Sequence, residues 1–186
     1  MIDIAVYQDV GPISGGRGTP LLVTNFNMKD SGSYATTYFP GAPLVRPTVP
    51  GIQKLSYKVF TYFVLTGSYD SIKNLRFKIT MTDAPQASDA QLFYKMTNTY
   101  ETPTNNFDGD MLLLADASGE IQSPLIYPML STTGPQNAVS RQMYYNGTTP
   151  LYTNYIVTQM RVNEGTTVGN TAETELKFEA YEYGNF

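Results

Sequence analysis

Hydrophobic and polar residues alternate along most of this chain with a period of two. In "SYKVFTYFVLTGSYDSIKNLRFKITMTD", residues 56–83, Tyr57, Val59, Thr61, Phe63 and Leu65 alternate with Lys58, Phe60, Tyr62 and Val64. Past a turn at "TGSYDS" (66–71), Leu75, Phe77, Ile79 and Met81 alternate with Arg76, Lys78 and Thr80. Successive side chains of a strand point to opposite faces, so this spacing predicts two strands around one turn. Ile2, Ile4 and Val6 alternate in the same way with Asp3 and Ala5, and "PLLVTNFNM" puts Leu22, Thr24 and Phe26 on one side. Further strands are predicted in "QLFYKMT" (91–97), "MLLLA" (111–115), "SPLIYPML" (123–130), "YTNYIVTQMRV" (152–162) and "ETELKFEAYEY" (173–183). The β-branched and aromatic content suits a pleated, half-buried surface.

Helical periodicity is nearly absent. "APQASDAQLFYKM" comes closest, but its apolar residues end on period two, leaving at most a short helix or turn near Pro85–Ala90. "TDAPQASD" (82–89), "ADASGE" (115–120) and "NEGTTVGN" (163–170) carry the Gly, Asp, Asn and Ser of turns. Asn146-Gly147, between "RQMYY" and "TTPLY", predicts a tight hairpin turn, which is preferred to a glycosylation reading of Asn146-Gly147-Thr148. The expectation is an all-β chain: a two-sheet β-sandwich or jelly-roll-like domain of roughly eight to ten strands.

Two segments fall outside this pattern. "GPISGGRGTP" (11–20) has Gly at 11, 15, 16 and 18, and "PGAPLVRPTVPG" (40–51) has Pro at 40, 43, 47 and 50. Glycine raises the entropy lost on ordering, and proline fixes φ and lacks a ladder donor. The expected organisation is an N-terminal strand and extended Gly/Pro-rich arm over 1–51 and a β-sandwich over 52–186, or one single domain 1–186. Such an arm is expected to gain order against a neighbouring subunit.

Composition narrows the chemistry. There are no cysteines and no histidines among 186 residues. Disulfides, thiolate metal sites and Ser-His-Asp or Cys-His triads are therefore excluded within this sequence. Carboxylates, Lys and Tyr remain as acid-base groups, so a non-enzymatic role without a cofactor is expected. The net charge is -4 with no basic run, which argues against a nucleic-acid partner. No apolar run approaches the roughly 20 residues that span a bilayer, so no membrane partner is expected. "MIDIAVYQDV" has no basic leader, and synthesis in a cytoplasm is expected.

Three groups merit a chemical reading. Asp108 and Asp110 in "NNFDGDM" (105–111) could begin a Ca²⁺ loop, but the further ligands that such a loop needs are missing and an Asp-Gly turn is preferred. Glu173, Glu175, Glu179 and Glu182 read as the solvated face of an edge strand rather than a glycosidase pair. Tyr144, Tyr145, Tyr152 and Tyr155 in "YYNGTTPLYTNY" are candidates for a protein interface or a sugar-stacking platform. With Pro40, Pro43, Leu44, Arg46 and Pro47 of the arm, they make up the candidate interface.

"VTNFNMKDSG" (23–32), the Pro-rich stretch after it, "SYKVFTYFVLTGSYDSIKNLRFKI" (56–79) and the closing "ELKFEAYEYGNF" together resemble small virion structural proteins of tailed bacteriophages. The strand, Gly-containing turn and "SIKNLRF" are the most specific part. The resemblance implies a β-sandwich or jelly-roll subunit of the virion, made in the host bacterial cytoplasm. A capsid decoration or cement protein is the expected role, bound to the major capsid protein or other virion proteins and to copies of itself. The alternatives are a head–tail connector, a tail or baseplate component, and, from another class, a carbohydrate-binding module.

Overall fold

The computed structural model describes residues 2–9, 21–22, 44, 47–67, 69–81, 90–115, 125–147, 149–163 and 176–183. The chain is all-β, and no α-helix occurs among the described residues. The segments 82–89, 116–120 and 164–170 fall outside them, as does the predicted helix or turn before Ala90. Two antiparallel sheets carry the fold.

The larger sheet runs β2 (Leu21–Leu22), β1 (Ile2–Asp9), β4 (Val59–Gly67), β12 (Tyr155–Asn163), β6 (Ala90–Thr97) and β7 (Leu112–Ala115). Around it, β3 (Gln53–Leu55) pairs with β12, and β11 (Leu151–Thr153) pairs with β4 and with β9 (Leu130–Ser131). The smaller sheet is built on the long strand β5 (Tyr69–Met81). It is flanked by β10 (Gln142–Gly147) and β13 (Leu176–Tyr183), and it also pairs with β8 (Leu125–Ile126). Among the described residues β13 pairs only with β5, which makes it an edge strand.

The sheets meet across one apolar core. Phe63, Leu65, Leu92, Tyr94, Leu114 and Ile156 of the larger sheet pack with Ile72, Leu75, Phe77 and Ile126 of the smaller. Phe63 stacks on Phe77 with ring centroids 4.4 Å apart, an offset contact that adds to their burial. β4 departs from the half-buried expectation, because every residue from Val59 to Leu65 is buried. Its other face carries a second cluster of Phe60, Tyr62, Val64, Phe93, Tyr155 and Val157. Residues 98–111 cross that face as an irregular strap, and Tyr100 and Met111 complete the cluster.

β-Bulges explain why alternation cannot be followed through whole strands. Tyr152 pairs with Val64 and Ile156 with Thr61, so four steps on one chain segment face three on the other. The extra residue inverts the side-chain parity. Leu151 and Ile156 therefore share the inter-sheet core, while Tyr152 and Tyr155 share the opposite face. The stretch 152–162, predicted as one strand, is thus split at Asn154. There the Asn154 N–H donates to the Met129 carbonyl at 3.0 Å, and its Oδ1 accepts the Met129 N–H at 3.1 Å. The Phe63 N–H at this break donates to Thr153 Oγ1 at 2.9 Å.

A similar shift occurs in β5, where Tyr181 pairs with Arg76 and Tyr183 with Lys73. It lets Ile72 and Leu75, an odd number of residues apart, both enter the core. The hairpin predicted at Asn146-Gly147 does not form. Gly147 pairs with Tyr69 inside β10, beyond a register shift after Tyr144, and β11 belongs to the other sheet. An Asn-Gly pair meets the backbone demands of a bulge as well as those of a turn.

In the predicted arm, residues 11–20, 23–43 and 45–46 lie outside the described residues, Pro40, Pro43 and Arg46 among them. Parts of the remaining range touch the sandwich. β2 pairs with β1 through Leu22 and Tyr7, Leu44 packs near Val162, and Pro47 is buried. The end of the Pro-rich segment turns instead of extending. Ile52 N–H donates to the Val49 carbonyl at 3.3 Å, and Gly51 has φ 74°. Proline followed by a positive-φ glycine is the signature of a type II turn.

Candidate functional site

The strap is held to the larger sheet by charge, amide and aromatic contacts. Strand alternation places Lys58 just before β4 and Lys95 on β6, and both reach the turn at Asp108. Asp108 Oδ2 lies 2.7 Å from Lys58 Nζ and 2.7 Å from Lys95 Nζ. Lys95 also lies 3.5 Å from Asp110 Oδ1. The Lys58 side chain is only 3% exposed, so its ammonium depends on this partner for the solvation it has lost. Burial pushes the Asp108 carboxyl up, but hydrogen bonds and charge from Lys58 and Lys95 outweigh it and hold the group below its ordinary value. Lys95 is held above its ordinary value: burial opposes the shift, and Asp108, then Asp110, overcome it.

Asp108 therefore serves as an anionic anchor for two lysines. The Met111 N–H donates to the Asp108 carbonyl at 3.1 Å, closing a turn around Gly109 and Asp110. Among the described residues no three His, Cys, Asp or Glu side chains gather into a metal site. The cluster joins two carboxylates to two ammonium groups and is neutral in sum.

Further contacts fasten the strap. The Lys58 N–H donates to the Thr104 carbonyl at 3.0 Å. Gln159, buried at the middle of β12, donates Nε2 to the carbonyls of Ser56 at 2.8 Å and Asn106 at 3.3 Å. Phe107 meets Phe93 edge to face at 4.9 Å. The Arg161 guanidinium lies over both rings, 5.0 Å from Phe93 and 5.8 Å from Phe107. Its Nε donates to Gln91 Oε1 at 2.8 Å, and Nη2 donates to the same oxygen.

The four candidate tyrosines are divided between the strands of the two sheets. Tyr144 and Tyr145 belong to β10 of the smaller sheet, and Tyr152 and Tyr155 to strands of the larger. Tyr155 is 0% exposed, which removes it from any surface of the folded chain. Its hydroxyl donates to Asp9 Oδ2, and its ring packs edge to face on Phe60 and Tyr62 at 5.8 and 5.7 Å. Tyr152 is partly buried beside Tyr62. Of the C-terminal glutamates, Glu179 and Glu182 are on edge strand β13, and Glu173 and Glu175 lie outside the described residues.

The group around Arg161 was not singled out by sequence reasoning. Alternation does place Gln159, Arg161 and Asn163 on one face of a strand, and Gln91, Phe93 and Lys95 on one face of another. It does not reveal that the two strands are neighbours, with Arg161 opposite Gln91. Comparison with known protein families, curated proteins and solved structures finds no match to the chain.

Proposed function

We propose that this chain is a non-enzymatic structural protein of a tailed-bacteriophage virion, and most specifically a capsid decoration or cement protein. The observation that carries the reading is where the reactive groups of the described domain are engaged. Lys58, Lys95, Asp108 and Tyr155 all hold sheet or strap in place through contacts within the chain. A sheet buried on both faces along β4 supplies rigidity, which a particle component repeated by symmetry needs. The resemblance in "SYKVFTYFVLTGSYDSIKNLRFKI" supplies the virion assignment.

Its partners on this reading are the major capsid protein or other virion proteins and copies of itself. The test is mass spectrometry of purified particles with copy number measured against the major capsid protein. A decoration protein is present in numbers comparable to that protein. About six or twelve copies, as closed rings give, would make it a head–tail connector or a tail component. Absence from particles defeats the proposal. A carbohydrate-binding reading keeps one specific support at Arg161.

A further inference from the structure

We infer that the corner of the larger sheet around Arg161 is a binding site for a carboxylate-bearing saccharide. The inference goes beyond the virion reading and does not rest on it. The Arg161 guanidinium lies over the edge-to-face pair of Phe93 and Phe107, while Gln91 Oε1 accepts from its Nε and Nη2. Guanidinium carries five N–H donors in a planar fork. Gln91 occupies one edge of that fork and leaves the Nη1/Nη2 edge, whose two N–H bonds match a carboxylate. Among the described residues no carboxylate pairs with Arg161; the nearby Asp108 and Asp110 pair with lysines. The side chain is thus charged, half-buried and already ordered before any ligand arrives.

The surroundings select the ligand class. Asn163 lies two residues further along the same face and pairs with Gln53 of β3. Its Oδ1 is buried and accepts no hydrogen bond, and the same holds for Oε1 of the wholly buried Gln159, whose amide nitrogen reaches Asn106 on the strap. Gln53 and Asn106 are exposed, and Phe107 presents a ring that is 39% exposed. Amides both donate and accept, as sugar hydroxyls do, and an open aromatic ring packs on the C–H face of a pyranose. A protein interface would require an apolar centre, whereas this corner is mostly amide around one ring.

The test is a titration of the full-length chain, followed by NMR of the Arg161 Nε–H and the Gln91 and Asn163 side-chain amides. The probes are digalacturonic acid, its neutral methyl ester, sodium acetate and a blocked glutamate peptide. Digalacturonic acid is expected to shift these three signals together at millimolar concentration. The methyl ester is expected to bind about tenfold more weakly, as the loss of one charge-assisted bidentate contact implies. Arg161→Lys keeps the charge but lacks the fork, and should weaken binding by a similar factor. Should that variant not fold, Asn163→Ala, at the rim, provides the second comparison and should weaken the acid and the ester alike. No shift, shifts mapped elsewhere, or equal affinity for the ester would overturn the site. Acetate as effective as the disaccharide would mean an adventitious ion only. A stronger response to the glutamate peptide would reassign the corner to a protein carboxylate.

Discussion

Asp108 Oδ2 lies 2.7 Å from the Nζ of Lys58, a lysine whose side chain is almost wholly buried, while the carboxylate itself is 26% exposed. The asymmetry decides what each substitution does. Asp108→Asn leaves the buried ammonium facing a neutral amide and should destabilise the chain by about 3 kcal/mol, the lower end for a broken buried pair. Lys58→Met removes the buried charge while Lys95 continues to neutralise Asp108, so it should cost clearly less. Asp110 is 71% exposed and 3.5 Å from Lys95, so Asp110→Asn should change stability by no more than about 0.5 kcal/mol. Urea midpoints of the three variants would check the order. An Asp110 variant weaker than the Asp108 variant would contradict it.

The same cluster sets a pH dependence. The Asp108 carboxyl is held below its ordinary value, so the unfolded chain binds its proton first as pH falls. Its stabilisation is present above the unfolded value near 3.8 and is lost as pH drops through the lower folded value. Lys95 runs the other way. Held above its ordinary 10.5, it contributes fully below that pH and is lost as pH rises through the higher folded value. With no histidine in the sequence, no imidazole adds slope between about pH 5 and 8. Stability measured by urea unfolding should therefore be flat near neutrality and fall at both extremes, with Asp108→Asn reducing the acid limb. An acid limb unchanged in that variant would remove Asp108 from its cause.

What the sequence made legible follows from range. Alternation is local, and it found β1, β4, β6 and β12 because each is long enough to show its period. Parity across a bulge depends on the partner strand. Leu151 and Ile156 look as though they face opposite ways until β4 is placed beside them. Asn146-Gly147 satisfied the local grammar of a hairpin, yet the next strand joined the other sheet. Lys58 is a charged residue among apolar neighbours, and local alternation carries no sign of its burial. It is buried because the strap, roughly fifty residues on in the chain, lies over it. The Arg161 corner draws on β3, β6, β12 and the strap together, so no single window contains it.

Tyr155 is an internal residue, and its hydroxyl should matter to folding and not to ligand binding. Tyr155→Phe removes the donor to Asp9, which is buried at the end of β1. A hydrogen bond to an acidic group is worth about 1.5–3 kcal/mol, and a loss in that range is expected. Tyr152→Phe should stay within about 0.5 kcal/mol, since its partly buried ring keeps its place beside Tyr62. Thermal unfolding of the two variants separates them. Glycan binding that depended on Tyr155 while stability did not would reverse the assignment.

The bulge at Asn154 gives a prediction in which a deletion is milder than it looks. Removing Asn154 makes the step count from Tyr152 to Ile156 equal to that from Val64 to Thr61. Leu151 and Ile156 then keep to the inter-sheet core, and Tyr152 and Tyr155 to the strap side, now by ordinary alternation. What is lost is the pair of hydrogen bonds to Met129, about 1 kcal/mol each, so the deletion should cost about 2–3 kcal/mol and leave the chain folded. Deleting Thr158 instead shifts the parity of everything before it on β12 and β11. That change drives Tyr155 toward the inter-sheet core and Ile156 out of it, and the variant should not fold. Urea unfolding and near-ultraviolet circular dichroism of the two deletions provide the comparison. If both deletions unfold the chain equally, the Met129 contacts are indispensable to the fold and parity alone does not explain the bulge.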